Sequence, residues 1–135
     1  MIERLFFALW PNDNIRQLLG KISQQVTPGA NGKVVPIDNL HITLVFVGEV
    51  NLPTNQCLQE VAATVQGHRF TLTLDLLDYW SKNQVLWFGA SQIPKALQTL
   101  VTDLNTGLPR CGYCSETRPY QAHLTLMRKA KLTGT

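Results

Sequence analysis

Hydrophobic residues recur along the chain at two spacings, one typical of strands and one typical of helices. Short runs rich in β-branched and aromatic residues predict strands at 4–10, 41–48, 69–76, 85–89 and 122–128. Apolar residues three or four positions apart predict helices at 13–27, 55–65 and 92–106, and residues 33–36 form a short extended stretch. We expect the helix caps to be Asn12 or Asp13, then Thr54, then Ser91. The pattern predicts an α+β domain.

The order strand, helix, strand occurs twice. It runs through residues 5–10, 13–27 and 41–47, and again through residues 85–89, 92–106 and 123–127. The last strands of the two copies begin alike, with His-Ile-Thr-Leu at 41–44 and His-Leu-Thr-Leu at 123–126. These histidines are 82 positions apart, and Leu5 and Leu86 of the opening strands are 81 apart. We infer a duplicated unit folded into two similar lobes.

Composition narrows the class of protein. A length of 135 residues suits one domain, and 44% hydrophobic with 16% charged residues excludes a disordered chain. No apolar run reaches the roughly 18–20 residues that span a membrane. The first residues lack the order of a signal peptide, and three cysteines cannot all pair. The sequence therefore predicts a single-domain cytoplasmic protein with no membrane association.

Charge is uneven along the chain. The net charge is +3, but residues 1–67 carry four bases and five acids, a balance of −1, so residues 68–135 carry +4. A phosphate-bearing ligand would be drawn to the basic half. An ordinary solvated surface explains the same charges equally well.

The two His-x-Thr motifs carry the candidate chemistry. Because side chains alternate along a strand, His41 and Thr43 share one face, as do His123 and Thr125. Two lobes facing each other would bring both imidazoles and both hydroxyls into one cleft. Histidine titrates near pH 6.5, so one imidazole can act as base and the other as acid, while the hydroxyls hold phosphate oxygens. One such motif arises easily by chance. Two of them at matching places in a repeat favour a catalytic site, and this set of side chains suits in-line attack on a phosphodiester.

Several stretches have a familiar sequence. They are Arg-Leu-Phe-Phe-Ala-Leu at 4–9, Val-Pro at 35–36, Asn-Leu-His-Ile-Thr-Leu-Val-Phe-Val-Gly at 39–48, Val-Leu-Trp at 85–87, Arg-Pro-Tyr at 118–120 and His-Leu-Thr-Leu-Met-Arg at 123–128. On these residues the whole chain resembles the bacterial 2′-5′ RNA ligase and RNA 2′,3′-cyclic phosphodiesterase family of two-histidine phosphoesterases. The resemblance implies two pseudo-symmetric lobes of antiparallel sheet, with helices on the outer faces and a central cleft.

The same resemblance implies an activity and its residues. Family members hydrolyse 2′,3′-cyclic phosphate RNA ends to 2′-phosphates without metal or cofactor, and some join tRNA halves through a 2′-5′ linkage. By position, His41 and His123 are the catalytic pair, and Thr43, Thr125 and Arg128 bind the phosphate. Strict alternation puts Arg128 on the face opposite His123, unless a bulge redirects it.

Further residues near the motifs are candidates for contact with RNA. Tyr120 is the aromatic residue expected to stack on a base, and Lys33 and Arg118 are expected to contact phosphates, with simple solvation as the alternative. His68 is expected at the surface, and Trp10 and Trp87 in the core.

The three cysteines are not expected to carry chemistry. Cys111 and Cys114 have the spacing of a redox motif, but they stand in loop-like sequence rather than at the start of a helix. Cys57 is expected to be a small apolar filler in its helix. No second ligand pair completes a zinc site, so we expect no metal.

The position at which the chain ends affects the predicted domain and its assembly. Residues 1–135 form one two-lobed domain that is short at its C-terminus, since the chain stops seven residues after Arg128 and family members continue. We expect a monomer that can self-associate through an uncovered strand edge. The alternative function is a binding module for nucleotides or RNA ends on the same fold, without turnover. The presence of both histidines favours the enzyme.

Overall fold

In the computed structural model, which describes residues 2–115 and 118–132, six strands and three helices form an α+β fold. The strands are β1 (Glu3–Leu9), β2 (Ala30–Val34), β3 (Ile42–Val50), β4 (Leu76–Trp80), β5 (Val85–Gly89) and β6 (His123–Leu132). The helices are α1 (Asp13–Val26), α2 (Leu52–Thr64) and α3 (Lys95–Gly107). The pairs β2–β6, β3–β6, β4–β5 and β5–β6 are all antiparallel. The predicted fold class is confirmed. Within the described ranges, no helix is long and apolar enough to cross a membrane.

The chain divides into two compact units, with breaks after Ala8, Ile42, Leu72, Ser91 and Gln121. The first unit contains most of β1 and β3 together with α2 and α3. The second contains α1, β2, β4, β5 and β6. Each unit therefore combines the two strands of one repeat copy with the helix of the other copy. The description of residues 1–135 as one domain stays a prediction.

The second unit is built around β6. This strand pairs with β2 and β5, and β4 pairs with the far side of β5. Ala30, Leu86, Met127 and Ala130 form a buried cluster on one side of these strands. The Tyr79 side chain packs against this cluster, and its hydroxyl donates a hydrogen bond to the Ala130 carbonyl at 2.6 Å. The rich content of β-branched and aromatic residues in β5 explains why this sequence forms a strand.

A bulge interrupts β6 shortly after its start. Thr125 lies opposite Trp87 and Met127 lies opposite Leu86, so two steps along β6 match one step along β5. Leu126 is the extra residue, and it is buried together with Met127. Because a bulge inserts one unpaired residue, the alternation of faces shifts by one position beyond it.

The first unit packs α2 against α3 and the turn that follows it. Gly107 ends α3, and a Cβ atom there would overlap the Val61 side chain of α2, so glycine allows the close approach. A disulfide joins Cys57 of α2 to Cys111 of the turn. The prediction that Cys57 is only an apolar filler is wrong, because tertiary packing brings together two cysteines 54 positions apart. Cys114 is a free, exposed thiol.

Two of the predicted caps differ from those observed. Asn12 caps α1, as expected, with its side chain accepting a hydrogen bond from the Ile15 N–H at 2.9 Å. Helix α2 begins three residues earlier than predicted, because Asn51 is a stronger cap than Thr54 and accepts the Thr54 N–H at 2.9 Å. Helix α3 begins only after Pro94, so Ser91 does not cap it.

Ser91 instead closes the β4–β5 hairpin. Its hydroxyl and its backbone N–H donate to the Asp75 carboxylate at 2.6 and 2.8 Å. These two bonds, the hydroxyl's first, lower the pKa of Asp75 below its ordinary value. The predicted strand at 69–76 is wrong, since β4 begins only at Leu76. Residues 70–76 do alternate between half-buried and exposed, so the pattern indicated burial of one side in a segment that lies mostly outside a strand.

Candidate active site

His41 and His123 lie on the same face of one antiparallel strand pair in the second unit. Ile42 and Leu124 are direct partners in the β3–β6 register, and both are buried. The histidines beside them are half-buried and point to the opposite face. In this register His41 stands across from Thr125, so the two histidines are diagonal neighbours with Cα atoms roughly 7–8 Å apart.

The His41 ring is held by a backbone contact and an aromatic contact. Its Nδ1 lies 2.7 Å from the Asn39 carbonyl oxygen, in the single helical turn that precedes β3. A carbonyl oxygen only accepts hydrogen bonds, so Nδ1 is the donor in this contact, and proton exchange with a ligand falls to Nε2. The Trp10 indole lies against the imidazole, with ring centroids 4.8 Å apart and planes tilted by 33°. Trp10 is 54% exposed, so its predicted place in the core is wrong. Strand β1 ends at Leu9, one residue before Trp10.

The His123 ring packs against two indoles. The Trp80 ring meets it edge-on at 4.6 Å, and the Trp87 ring lies 6.0 Å away, also edge-on. The two indoles contact each other at 4.7 Å. Trp87 is 2% exposed, which confirms its core position. Gly89 is the strand partner of His123, and a Cβ atom there would overlap the Trp87 ring, so glycine makes room for this aromatic group.

The bulge in β6 decides where Arg128 points. Met127 faces the same side as Leu86, so Arg128, one residue later, returns to the face of His123 and Thr125. Strict alternation would have put it on the other face. The bulge that could redirect Arg128 is therefore present. Binding of phosphate by Arg128 stays a prediction.

Lys33 is the direct partner of Arg128 in the β2–β6 register. Both side chains are exposed. Like charges placed directly opposite each other on neighbouring strands repel. Gly32 helps to set this pairing, since a Cβ atom there would lie 2.7 Å from the carbonyl oxygens of Arg128 and Lys129. The second unit thus presents two imidazoles, one threonine and a pair of cations on one side of its strands.

The remaining candidates belong to the first unit. The Tyr120 hydroxyl donates a hydrogen bond to the Thr43 carbonyl oxygen at 2.8 Å. Burial raises the pKa of Tyr120 to about 12, so this hydroxyl keeps its proton at neutral pH. Tyr120 and the exposed Arg118 line a cavity of about 510 Å³ beside α3. Stacking of Tyr120 on a base stays a prediction, and the hydroxyl contact with Thr43 was not foreseen.

Sequence reasoning missed the aromatic partners of both histidines. Trp80 and Trp87 lie in the β4–β5 hairpin, whose antiparallel register alone brings Trp80 beside Trp87 and β6. The Asn39 carbonyl could not be predicted as the partner of His41, because every residue has a backbone carbonyl and the residue type does not distinguish this one. His68 is exposed, as expected. Across residues 2–115 and 118–132, no three His, Cys, Asp or Glu side chains are grouped so that they could hold a metal ion.

The comparisons of this chain with known proteins agree with one another. Residues 9–87 match the sequence model of the LigT-like phosphoesterases. The RNA 2′,3′-cyclic phosphodiesterase of Escherichia coli strain K12 is 36% identical over 95% of this chain and 73% of its own length. A protein of the same name from Archaeoglobus fulgidus is 27% identical over 93% of this chain and 72% of its own length. A crystal structure of E. coli LigT complexed with 3′-AMP superposes with a TM-score of 0.90 at 35% identity, over all of this chain and 78% of that one.

Proposed function

Because this chain belongs to the LigT-like phosphoesterase family, we propose that it is an RNA 2′,3′-cyclic phosphodiesterase that opens the cyclic phosphate at an RNA end and leaves a 2′-phosphate. The observation that carries the proposal is the placement of His41 and His123 on one face of a strand pair. Two imidazoles so close can divide the two proton transfers of ring opening between them. The names of the E. coli and A. fulgidus relatives support the choice of substrate.

The mechanism follows from these two groups. His123 takes a proton from water, whose oxygen bonds to phosphorus as the bond from phosphorus to the 3′ oxygen breaks. His41 gives its proton from Nε2 to the departing 3′ oxygen. The Nδ1 nitrogen can keep its hydrogen bond to the Asn39 carbonyl in both protonation states, so Nε2 is the nitrogen that exchanges the proton. His123 then releases one proton to solvent and His41 takes one up from solvent, which restores both histidines. Both transfers belong to histidines, so the rate is expected to be the same in EDTA.

Threonine and arginine side chains complete the proposal. Thr125 stands across from His41 and is proposed to donate a hydrogen bond to a non-bridging phosphate oxygen. Arg128, on the same face beyond the bulge, is proposed to bind the phosphate charge. Thr43 is proposed as the second hydroxyl donor on its motif alone. Lys33, Arg118 and Tyr120 are proposed contacts for the rest of the RNA.

The proposal extends to ligation, location and assembly. An RNA 5′-hydroxyl in place of water would need the same proton transfers and would give a 2′-5′ linkage. We also propose a monomer that can associate through a strand edge. A cytoplasmic location stays a prediction, and the bond between Cys57 and Cys111 is an observation against it, because disulfides are rare in reducing compartments.

The product of a simple nucleotide tests the function. Incubation with a nucleoside 2′,3′-cyclic monophosphate in EDTA, followed by phosphorus NMR, is expected to show conversion to the 2′-phosphate. A 3′-phosphate would mean different chemistry, and loss of activity in EDTA would overturn the metal-free mechanism. An unchanged ligand that still binds would favour the rival function, a binding module for RNA ends.

The cation pair gives a separate prediction about RNA. Lys33→Ala is expected to weaken binding of a short single-stranded RNA that ends in a 2′-phosphate. The slope of log Kd against log salt concentration should fall by about 0.7, the change for one lost phosphate contact on a single strand. Fluorescence anisotropy over a series of KCl concentrations measures this slope. Lys82→Ala, which removes an exposed lysine from the same unit, is the matched control. An equal slope in both variants would show that Lys33 is only solvated.

A further inference from the structure

Strand β6 contains a second bulge, directly after Arg128. Lys33 lies opposite Arg128 in the β2–β6 register. Two residues earlier in β2, Asn31 lies opposite Lys131, which is three residues later in β6, so β6 has one extra residue here. Lys129 lies in this interval with a φ of +51°, in the left-handed region that only glycine enters without cost. A bulge that begins with such a residue normally has glycine in that place.

Burial along β6 shows what the two bulges do together. Leu126 and Met127 are buried in succession at the first bulge, and Arg128 and Lys129 are exposed in succession at the second. Ala130 is buried again, in step with Leu126 four residues earlier. In a strand without bulges, position 128 would lie on the buried side together with these two residues. The first bulge therefore turns Arg128 outward, and the second returns the strand to its original alternation.

Neighbouring backbone on both sides of β6 holds the second bulge. A Cβ atom on Gly32 would lie 2.7 Å from the carbonyl oxygens of both Arg128 and Lys129, so glycine is needed opposite the bulge. The Ala130 N–H, which follows the bulge, donates a hydrogen bond to the Gln84 carbonyl oxygen at 2.8 Å. A strained residue persists only where its surroundings fix it, and such residues cluster at functional sites.

We propose that the bulge at Lys129 is a positioning device, which keeps the Arg128 guanidinium on the face of His123, where the substrate phosphate binds. The inference rests on the proposed function. Lys129 acts through its backbone conformation and not through its ammonium group. Gly32 is the second part of the device, because it makes room for the bulge.

Substitutions of Lys129 separate the backbone from the ammonium. Lys129→Asn and Lys129→Val both remove the charge, but asparagine tolerates a left-handed backbone and the β-branched valine does not. On nucleoside 2′,3′-cyclic monophosphates, Lys129→Val is expected to lower kcat/KM by about 5- to 30-fold, the population cost of the left-handed conformation. Lys129→Asn should keep the activity of the unmodified chain. Lys131→Val, at an exposed position of the same strand without positive φ, is the matched control.

A double-mutant cycle shows whether this loss acts through Arg128. Arg128→Ala should itself lower kcat/KM, and Lys129→Val should cause no further loss in that background. Gly32→Ala should behave like Lys129→Val in both backgrounds. A loss that persists without Arg128 would make the bulge a structural feature only. Equal activity in Lys129→Asn and Lys129→Val, whether lowered or intact, would also overturn the proposal.

Thermal unfolding of Lys129→Gly gives a second measurement that does not depend on whether the valine variant folds. Glycine adopts a positive φ freely, so this variant should have a raised Tm and an unchanged kcat/KM. A lowered Tm would mean that no strain is present at position 129, and the proposal would fail.

Binding of a product separates this inference from the proposed function. If the unmodified chain leaves every cyclic phosphate intact, the proposed function fails, and the Kd of adenosine 2′-monophosphate by calorimetry replaces kcat/KM. That Kd should rise in Lys129→Val and Gly32→Ala and stay unchanged in Lys129→Asn. The same Kd in all three variants would overturn the inference alone. A chain that neither hydrolyses nor binds these nucleotides would overturn both.

Discussion

Replacing either His41 or His123 with alanine is expected to slow hydrolysis of a nucleoside 2′,3′-cyclic monophosphate by about 10²–10⁴-fold, the usual contribution of one general acid or base. The two variants should differ in the pH dependence of kcat/KM. A base acts only when deprotonated, so its loss removes the limb that rises with pH. An acid acts only when protonated, so its loss removes the limb that falls. His123→Ala should therefore lose the rising limb and His41→Ala the falling limb.

The third histidine supplies the control for this experiment. His68 is exposed, and His68→Ala should leave the rate and both limbs unchanged. Circular dichroism of all three variants checks that the half-buried histidines can be removed without loss of the fold. If each limb vanished in the other variant, acid and base would be exchanged. A full bell-shaped pH profile of kcat/KM in both His41→Ala and His123→Ala would contradict the two-histidine mechanism.

Local patterns in the sequence were sufficient for most of the second unit. Helix α1 and strand β5 lie within one residue of their predicted limits, because each has a clear spacing of apolar residues. Strand β6 starts one residue later than predicted and continues to Leu132, four residues beyond its predicted end. The opposite faces of His41 and Ile42, and of His123 and Leu124, follow from strand geometry alone. The strand predicted at 69–76 shows the limit of this reasoning. One-sided burial creates the alternating pattern, whether or not a neighbouring strand supplies hydrogen bonds.

Features set by partners distant in sequence could not be predicted. The shift of Arg128 to the face of His123 depends on the register between β5 and β6. No residue type in β6 indicates that register. Lys33 reaches Arg128 only through the β2–β6 pairing. The disulfide between Cys57 and Cys111 likewise requires the packing of α2 against the turn after α3.

Tryptophan was misjudged for a related reason. Trp10 ends an apolar run, and an apolar run usually indicates burial. The strand stops one residue earlier, and the indole is left beside His41 in the space before α1. A single residue at the boundary of an element can therefore move from core to site. Such boundaries are the least certain part of any sequence-based assignment.

Replacing Thr125 with valine is expected to lower kcat/KM by about 10- to 150-fold without affecting the fold. Valine keeps the β-branched shape that suits a strand, so β6 should pair as before. The change removes one hydrogen bond to a charged phosphate oxygen, about 1.5–3 kcal/mol, which corresponds to this factor in rate. The pH profile should stay bell-shaped, because both histidines remain. Thr43→Val should behave in the same way if that hydroxyl also contacts the phosphate.

The control for these variants is Thr73→Val, an exposed threonine of the second unit outside the described strands, which should have no effect on the rate. Steady-state kinetics over a pH series measure the loss, and thermal unfolding monitors stability. A transition state gathers negative charge on the phosphate oxygens, so the loss should fall mainly on kcat rather than KM. Full activity in both Thr43→Val and Thr125→Val would make these residues strand formers only. The phosphate would then have to be held by Arg128 and the imidazoles alone.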